Sequence, residues 1–224
     1  MFYKFTNILN RINIDNSGLF LFRVGIFVLP SAFFISAILF LVSLVLSFIK
    51  DSSKILNDKW NYLFIVSSFL MIISSYIHLQ EFPSEQTFVL NSKQVIWEAR
   101  QSWIGLGNWI PLILGFIGFQ DYLSTSRKRK ICGKLLIAGS VPVLITGFGQ
   151  YWFDWYGPMY FLNDLIIWFQ RPLSEGQGLS GLFSNQNYAG SWLNVIWPFS
   201  FALIFEKKSN IFNKFIIASI GMAI

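Results

Sequence analysis

Apolar residues along this chain come in long, nearly unbroken runs separated by shorter polar stretches. A helix needs about 20 apolar residues to cross the hydrocarbon core of a bilayer. Runs of that kind stand at 60–79, 103–119, 135–153 and 188–205, and a further one begins near Ile211 and is still apolar at Ile224. Barrel strands would alternate apolar and polar positions, and these runs do not. The pattern therefore predicts an all-α polytopic membrane protein with about 6–7 transmembrane helices. The first run, Gly18 to Ile49, is too long for one ordinary span and is interrupted by Pro30 and Ser31. Proline breaks or kinks a helix, so 18–49 is expected to be either a kinked helix or a hairpin of two short ones. The closing "FIIASIGMAI" has no polar cap and no flanking charge. It leads us to expect the N-terminal part of a longer membrane domain.

Composition agrees with this reading. The chain is 54% hydrophobic, 19% aromatic and 12% charged, against about 25% charged for an ordinary soluble domain. No short apolar stretch with a small-residue cleavage site opens the chain, so no cleavable signal peptide is expected. The net charge of +6 does not point to nucleic acid, because the basic residues lie between apolar runs. The positive-inside rule accounts for them.

Charge placement orients the runs. The most basic stretch, 121–134, contains "STSRKRKICGK" and is expected to be a cytoplasmic loop holding Cys132. Counting from it, 80–102 and 154–187 become outer loops, with Lys93, Arg100 and Arg171 as their basic residues. A hairpin over 18–49 keeps Lys4, Arg11 and Arg23 inside, whereas a single span would move them out, so the hairpin is preferred. Arg23, near the start of its run, could then snorkel to the headgroups. All tryptophans except Trp60 lie in or near the outer loops, as interfacial anchors do.

The outer loops hold the candidate chemistry. In 80–102, weak periodicity through Val89, Ile96 and Trp103 predicts a short helix on the membrane surface. In 154–187, "MYFLNDLIIWF" predicts an amphipathic or re-entrant helix. This loop exceeds the roughly 12–15 residues typical of plain connections. Arg171 is its basic residue, and a guanidinium fork suits phosphate or carboxylate. It precedes "GLFSNQNYAGSW", where the N–H groups opening the next helix attract anions. Ser184 or Asn185 could equally be a helix cap, and Gly190 and Ser191 could serve close packing. The lone His78 ends a span and reads as interfacial. No cofactor motif and no metal-binding constellation is visible.

"RPLSEGQGLSGLFSNQNYAGSWLNVIWPFSFAL" resembles a junction in the O-antigen ligase and polymerase superfamily: a Gly, an aromatic, then Asn-x-Asn and small residues opening a membrane helix shortly after an Arg. "GIFVLPSAFFISAILFLVSLVLS" is similar to the opening hairpin of bacterial members. The resemblance implies a multi-pass glycosyltransferase of the bacterial inner membrane. Such an enzyme moves glycan from an undecaprenyl-diphosphate carrier to another glycan or to a lipid A core acceptor, on the periplasmic side and with no cofactor. By that likeness Arg171 would meet the diphosphate, and Gly181, Asn185 and Asn187 would shape the substrate site. Members carry more spans and a later periplasmic loop with further Arg and His residues, so this chain would hold part of a site. The competing reading is a small-solute or inorganic-carbon transporter, for which mid-depth acidic residues and internal repeats would be expected and are not seen.

Overall fold

The computed structural model of the chain describes residues 14–50, 58–81, 86–90, 93–97, 100–174, 178–206 and 210–223. Its framework is all-α, with two small β-hairpins between helices. Among the described residues three helices are long and apolar enough to cross a membrane: Phe33–Lys50, Lys59–Leu79 and Ser126–Phe153. Shorter apolar helices cover Asn16–Val28 and Ile211–Ala223. Large apolar side chains are widely exposed on the helices, which suits a lipid surround and not water.

The run from Gly18 to Ile49 forms two helices, α1 (Ile14–Val28) and α2 (Phe33–Lys50). The turn between them is closed by the Val28 carbonyl, which accepts from Ser31 N–H at 3.1 Å and Ala32 N–H at 2.8 Å. Ser36 Oγ donates to the Gly25 carbonyl (2.9 Å) and Ser43 Oγ to the Gly18 carbonyl (2.8 Å). In an apolar medium a serine hydroxyl must find such a partner, and small residues let the helices come close enough to supply it.

The chain divides into two compact units, 1–43 with 122–224 and, separately, 44–121. In the second unit α3 (Lys59–Glu81) packs on α4 (Arg100–Gly118), with the Phe64 and Phe116 rings 4.6 Å apart and Gln120 donating to Asn61 Oδ1 at 2.8 Å. The segment 80–102 is not a surface helix. Strands β1 (Gln86–Leu90) and β2 (Lys93–Trp97) pair antiparallel, with Gln86 opposite Trp97 and Leu90 opposite Lys93. "QTFVL" and "KQVIW" are rich in aromatic and β-branched residues, which favour strands over helix.

The first unit holds α1, α5 (Ser126–Gly139), α6 (Val141–Phe153), α7 (Gln186–Ile204) and α8 (Ile211–Ala223). α5 and α6 run on through Ser140, whose backbone is helical (φ −80°, ψ −12°). The interruption is caused by Pro142, which has no N–H to offer the preceding turn. The stretch 121–134 is therefore not a loop. Helix begins at Ser126, behind Thr125, whose side chain accepts from Lys128 N–H at 3.3 Å. Arg and Lys are good helix formers, and a helix that outruns the hydrocarbon meets their need for water as well as a loop does. Cys132 accordingly sits buried inside α5.

α5 packs on α1 and on α7, and α7 on α8, around Ile137, Ile196, Leu203 and Ile217. Lys130, near the start of α5, pairs with Glu206, just beyond the end of α7. The basic cluster Arg127–Lys130 thus lies at one end of the α5–α7 pair, and the segments 154–174 and 178–185 at the other. The continuous helix between them is about 42 Å long at 1.5 Å per residue.

Candidate functional site

α6 carries Thr146 and Gln150 four residues apart, one above the other on one face. The helix stops at Asp154, which takes the left-handed conformation (φ 49°), and Trp155 N–H returns to the Gly149 carbonyl at 3.1 Å. A side chain at Gly149 would run into the Trp155 indole, so this turn-back requires glycine.

The segment "MYFLNDLIIWF" then forms a hairpin, not a helix. β3 (Met159–Phe161) and β4 (Ile166–Trp168) pair with Met159 opposite Trp168. Leu162, Asn163 and Asp164 all have positive φ in the connection. Asn and Asp tolerate that region, which is why the chain reverses here instead of continuing as helix. The hairpin is anchored at its base: Trp168 Nε1 donates to the Ser31 carbonyl (2.8 Å) and Gly157 N–H to the Gln170 carbonyl (2.8 Å). Gln170 is buried and donates through Nε2 to the Thr146 carbonyl at 2.8 Å.

Arg171 follows directly. Its carbonyl accepts from Gln150 Nε2 at 2.6 Å, and its N–H donates to Ser180 Oγ at 3.2 Å. Gln150 Nε2 also reaches Ser180 Oγ (3.2 Å), while Gln150 Oε1 accepts from the N–H groups of Ser180 (2.9 Å) and Gly181 (3.1 Å). Gly181 has φ +55°, and an added Cβ would lie 3.1 Å from the Val143 carbonyl oxygen. Both facts call for glycine. α7 then opens at Asn185, in extended conformation, whose Oδ1 accepts from Asn187 N–H at 2.8 Å. Gln186 Oε1 accepts from Gly178 N–H.

These residues enclose a polar pocket of about 150 Å³, lined among others by Gln150, Arg171, Ser180, Asn185 and Asn187. The space has room for a small polar group such as a phosphate. Arg171 is exposed, and among the described residues nothing pairs with its guanidinium. The first N–H groups of α7 add partial positive charge at the same place, and among the described residues no acidic side chain lines the pocket. The arrangement suits an anion.

Three of the four residues singled out in the sequence meet here: Arg171, Asn185 and Asn187. Gly181 does not line the pocket; it turns the chain into α7 and gives its N–H to Gln150. Asn185 is the helix cap, and Ser184 is not. Capping occupies Oδ1 and leaves the Asn185 amide NH₂ as donor. A Cβ on Gly190 would meet nothing within 4 Å, so close packing does not explain that glycine. His78 lies in the last turn of α3, in the other unit. The residues missed were Gln150 and Ser180. The one available signal was a lone amide in the apolar "VPVLITGFGQYWF", four positions after a threonine. Among the described residues no three metal-ligating side chains come together. No protein-family model, curated protein or solved structure matches the chain.

Proposed function

We propose that this chain belongs to a multi-pass, O-antigen ligase/polymerase-like glycosyltransferase of the bacterial inner membrane. It acts on glycan carried by undecaprenyl diphosphate, on the face away from the Arg127–Lys130 cluster, with a second glycan or lipid A core as acceptor. The observation that carries this reading is the shared pocket: Arg171, Asn185 and Asn187 line one small polar space at the mouth of α7. The pocket lies at the end of the α5–α7 pair opposite the basic cluster, which favours the outer face. Around it Tyr151, Trp152, Tyr156 and Tyr160 are exposed, as rings at a headgroup interface are.

In glycosyl transfer from a diphosphate carrier, negative charge grows on the departing diphosphate as the glycosyl–oxygen bond breaks. A guanidinium and a fixed row of backbone N–H groups stabilise that charge without reorganising. Arg171 supplies the first and α7 the second. Asn185 and Asn187 add amide donors that set the orientation of the phosphate oxygens.

Binding tests the reading. The purified protein in lipid nanodiscs should bind undecaprenyl diphosphate, and Arg171→Ala should lower the affinity by about tenfold or more while membrane insertion stays unchanged. Equal binding by the variant would remove Arg171 from the site. Absence of diphosphate binding together with bicarbonate uptake in proteoliposomes would establish the transporter reading instead.

A further inference from the structure

We propose that Gln150 is a positioning residue: its one side-chain amide fastens both limbs of the loop carrying Arg171 to α6 and thereby sets how the pocket presents Arg171 to an anion. The identity of that anion as a lipid-linked diphosphate rests on the function proposed above; the positioning itself does not.

The descending limb ends at Arg171, whose carbonyl takes the Gln150 Nε2 proton at 2.6 Å. The returning limb begins at Ser180 and Gly181, whose N–H groups both point to Gln150 Oε1 at 2.9 and 3.1 Å. Ser180 Oγ lies between, accepting from Arg171 N–H and from Gln150 Nε2, each at 3.2 Å. The amide thus uses both donors and its acceptor. It is only 1% exposed, and a polar group buried in an apolar helix is costly unless so satisfied. Gln170 holds the neighbouring residue to Thr146, but it touches one limb. Gln150 touches both, and it also lines the pocket. Residue 171 is therefore held at its backbone, while among the described residues nothing pairs with its guanidinium.

Two variants separate positioning from simple support. Gln150→Leu keeps the volume and removes all four bonds. Gln150→Glu keeps the acceptor for Ser180 and Gly181. It donates to the Arg171 carbonyl when protonated and cannot when ionised, and burial raises a carboxyl into an accessible pH range. Among the described residues Arg171 is the charged side chain lining the pocket, so it is the described group the new carboxylate would face. The intact protein in nanodiscs is measured two ways: affinity for undecaprenyl diphosphate, and the rate at which phenylglyoxal modifies Arg171, read by mass spectrometry against Arg127 as internal control. We expect Gln150→Leu to change the Arg171 rate by about threefold or more and to lower affinity by about tenfold. We expect Gln150→Glu to match it near pH 8 and, taken as a ratio to wild type, to approach normal binding near about pH 5.5. Wild-type Arg171 reactivity in both variants overturns the inference, whether or not diphosphate binds. If wild type binds no diphosphate, the proposed function fails and Arg171 reactivity alone decides the role of Gln150. If Gln150→Leu does not fold, the acid rescue of Gln150→Glu decides it, and its absence overturns the proposal.

Discussion

The most apolar 18-residue stretches of the helices Lys59–Leu79 and Ser126–Phe153 have the same mean hydropathy, yet 6% of the first stretch is buried within the protein against 39% of the second. The difference lies in what each does with its small and polar residues. α3 satisfies its own hydroxyls: Ser67 Oγ donates to the Leu63 carbonyl and Ser68 Oγ to the Phe64 carbonyl, both at 2.8 Å and both one turn back. Leu63, Val66, Phe69 and Leu70 are left exposed on its surface. The α5–α6 helix also turns its hydroxyls one turn back, Ser140 Oγ to the Leu136 carbonyl at 2.9 Å and Thr146 Oγ1 to the Pro142 carbonyl at 2.8 Å, but it makes bonds beyond itself as well. Gly139 admits the backbone of α1, Ser140 Oγ receives Trp192 Nε1 at 3.0 Å from α7, and Gln150 holds the Arg171 loop. Hydropathy measures preference for an apolar surround and does not distinguish lipid from protein as that surround. Polar atoms bonded beyond their own helix do distinguish them, and on α6 one such residue, Gln150, leads to the pocket.

The sharpest way to break that contrast is to add one methyl group to each kind of helix. A Cβ at Gly139 would run into the Phe27 carbonyl, which is backbone and cannot swing away. Gly139→Ala should therefore destabilise the protein by about 1–3 kcal/mol, the usual cost of overpacking. Gly105 of α4 has nothing within 4 Å of its added Cβ. There Gly105→Ala should stabilise by about 0.5–1 kcal/mol, because alanine gives up less backbone freedom in a helix. Unfolding by SDS titration in bicelles reads both. The signs should be opposite, and a neutral Gly139→Ala would show that α1 and α5 do not pack as closely as described.

The same contrast explains what was legible in the sequence. The long apolar runs located the helices, because run length against bilayer thickness is a one-dimensional signal. The hairpins were not legible. "MYFLNDLIIWF" satisfies a helical pattern as readily as a strand pattern, and what decides it is three consecutive residues at positive φ around Asn163. The basic stretch read as a loop because charge says where water is, not where helix ends. Arg171, Asn185 and Asn187 were found together because one local motif holds them. Gln150 and Ser180 were not, because they meet across 30 positions of sequence and only folding brings them together.

A smaller effect separates capping from ligand binding, which in Asn185 coincide. α3 begins in a similar way: Asp58 Oδ1 accepts from Trp60 N–H at 3.0 Å, as Asn185 Oδ1 accepts from Asn187 N–H at 2.8 Å. Such a cap is therefore no sign of a site. Asn185→Asp keeps the cap and adds a negative charge beside the helix N-terminus, so stability should hold or rise by a few tenths of a kcal/mol, about the lower range of helix-dipole effects. The same charge repels an anion in the pocket, so diphosphate affinity should fall by about tenfold. Asn185→Ala should do the reverse on stability, costing about 0.5–2 kcal/mol. Unchanged binding by Asn185→Asp would reduce Asn185 to the same role as Asp58.

The smallest effect is expected at the opposite end of the α5–α7 pair. There Lys130 holds the Glu206 carboxyl below the ordinary carboxylate range, chiefly through its hydrogen bond, with the charges of Lys130, Lys134 and Lys214 adding to it. A carboxyl whose folded value is depressed contributes stability above its unfolded value, about 4.3 for Glu, and loses that contribution as pH falls through the lower folded value. Glu206→Gln should therefore be slightly less stable than wild type near pH 7. The gap should close as the pH drops below about 4, and added salt should narrow it at neutral pH because the pair is accessible to ions. SDS titrations of the two proteins across that range read the difference directly. A gap that widens in acid, or ignores salt, would mean that Glu206 acts through something other than Lys130, and that the basic end of the molecule is tied by packing and not by charge.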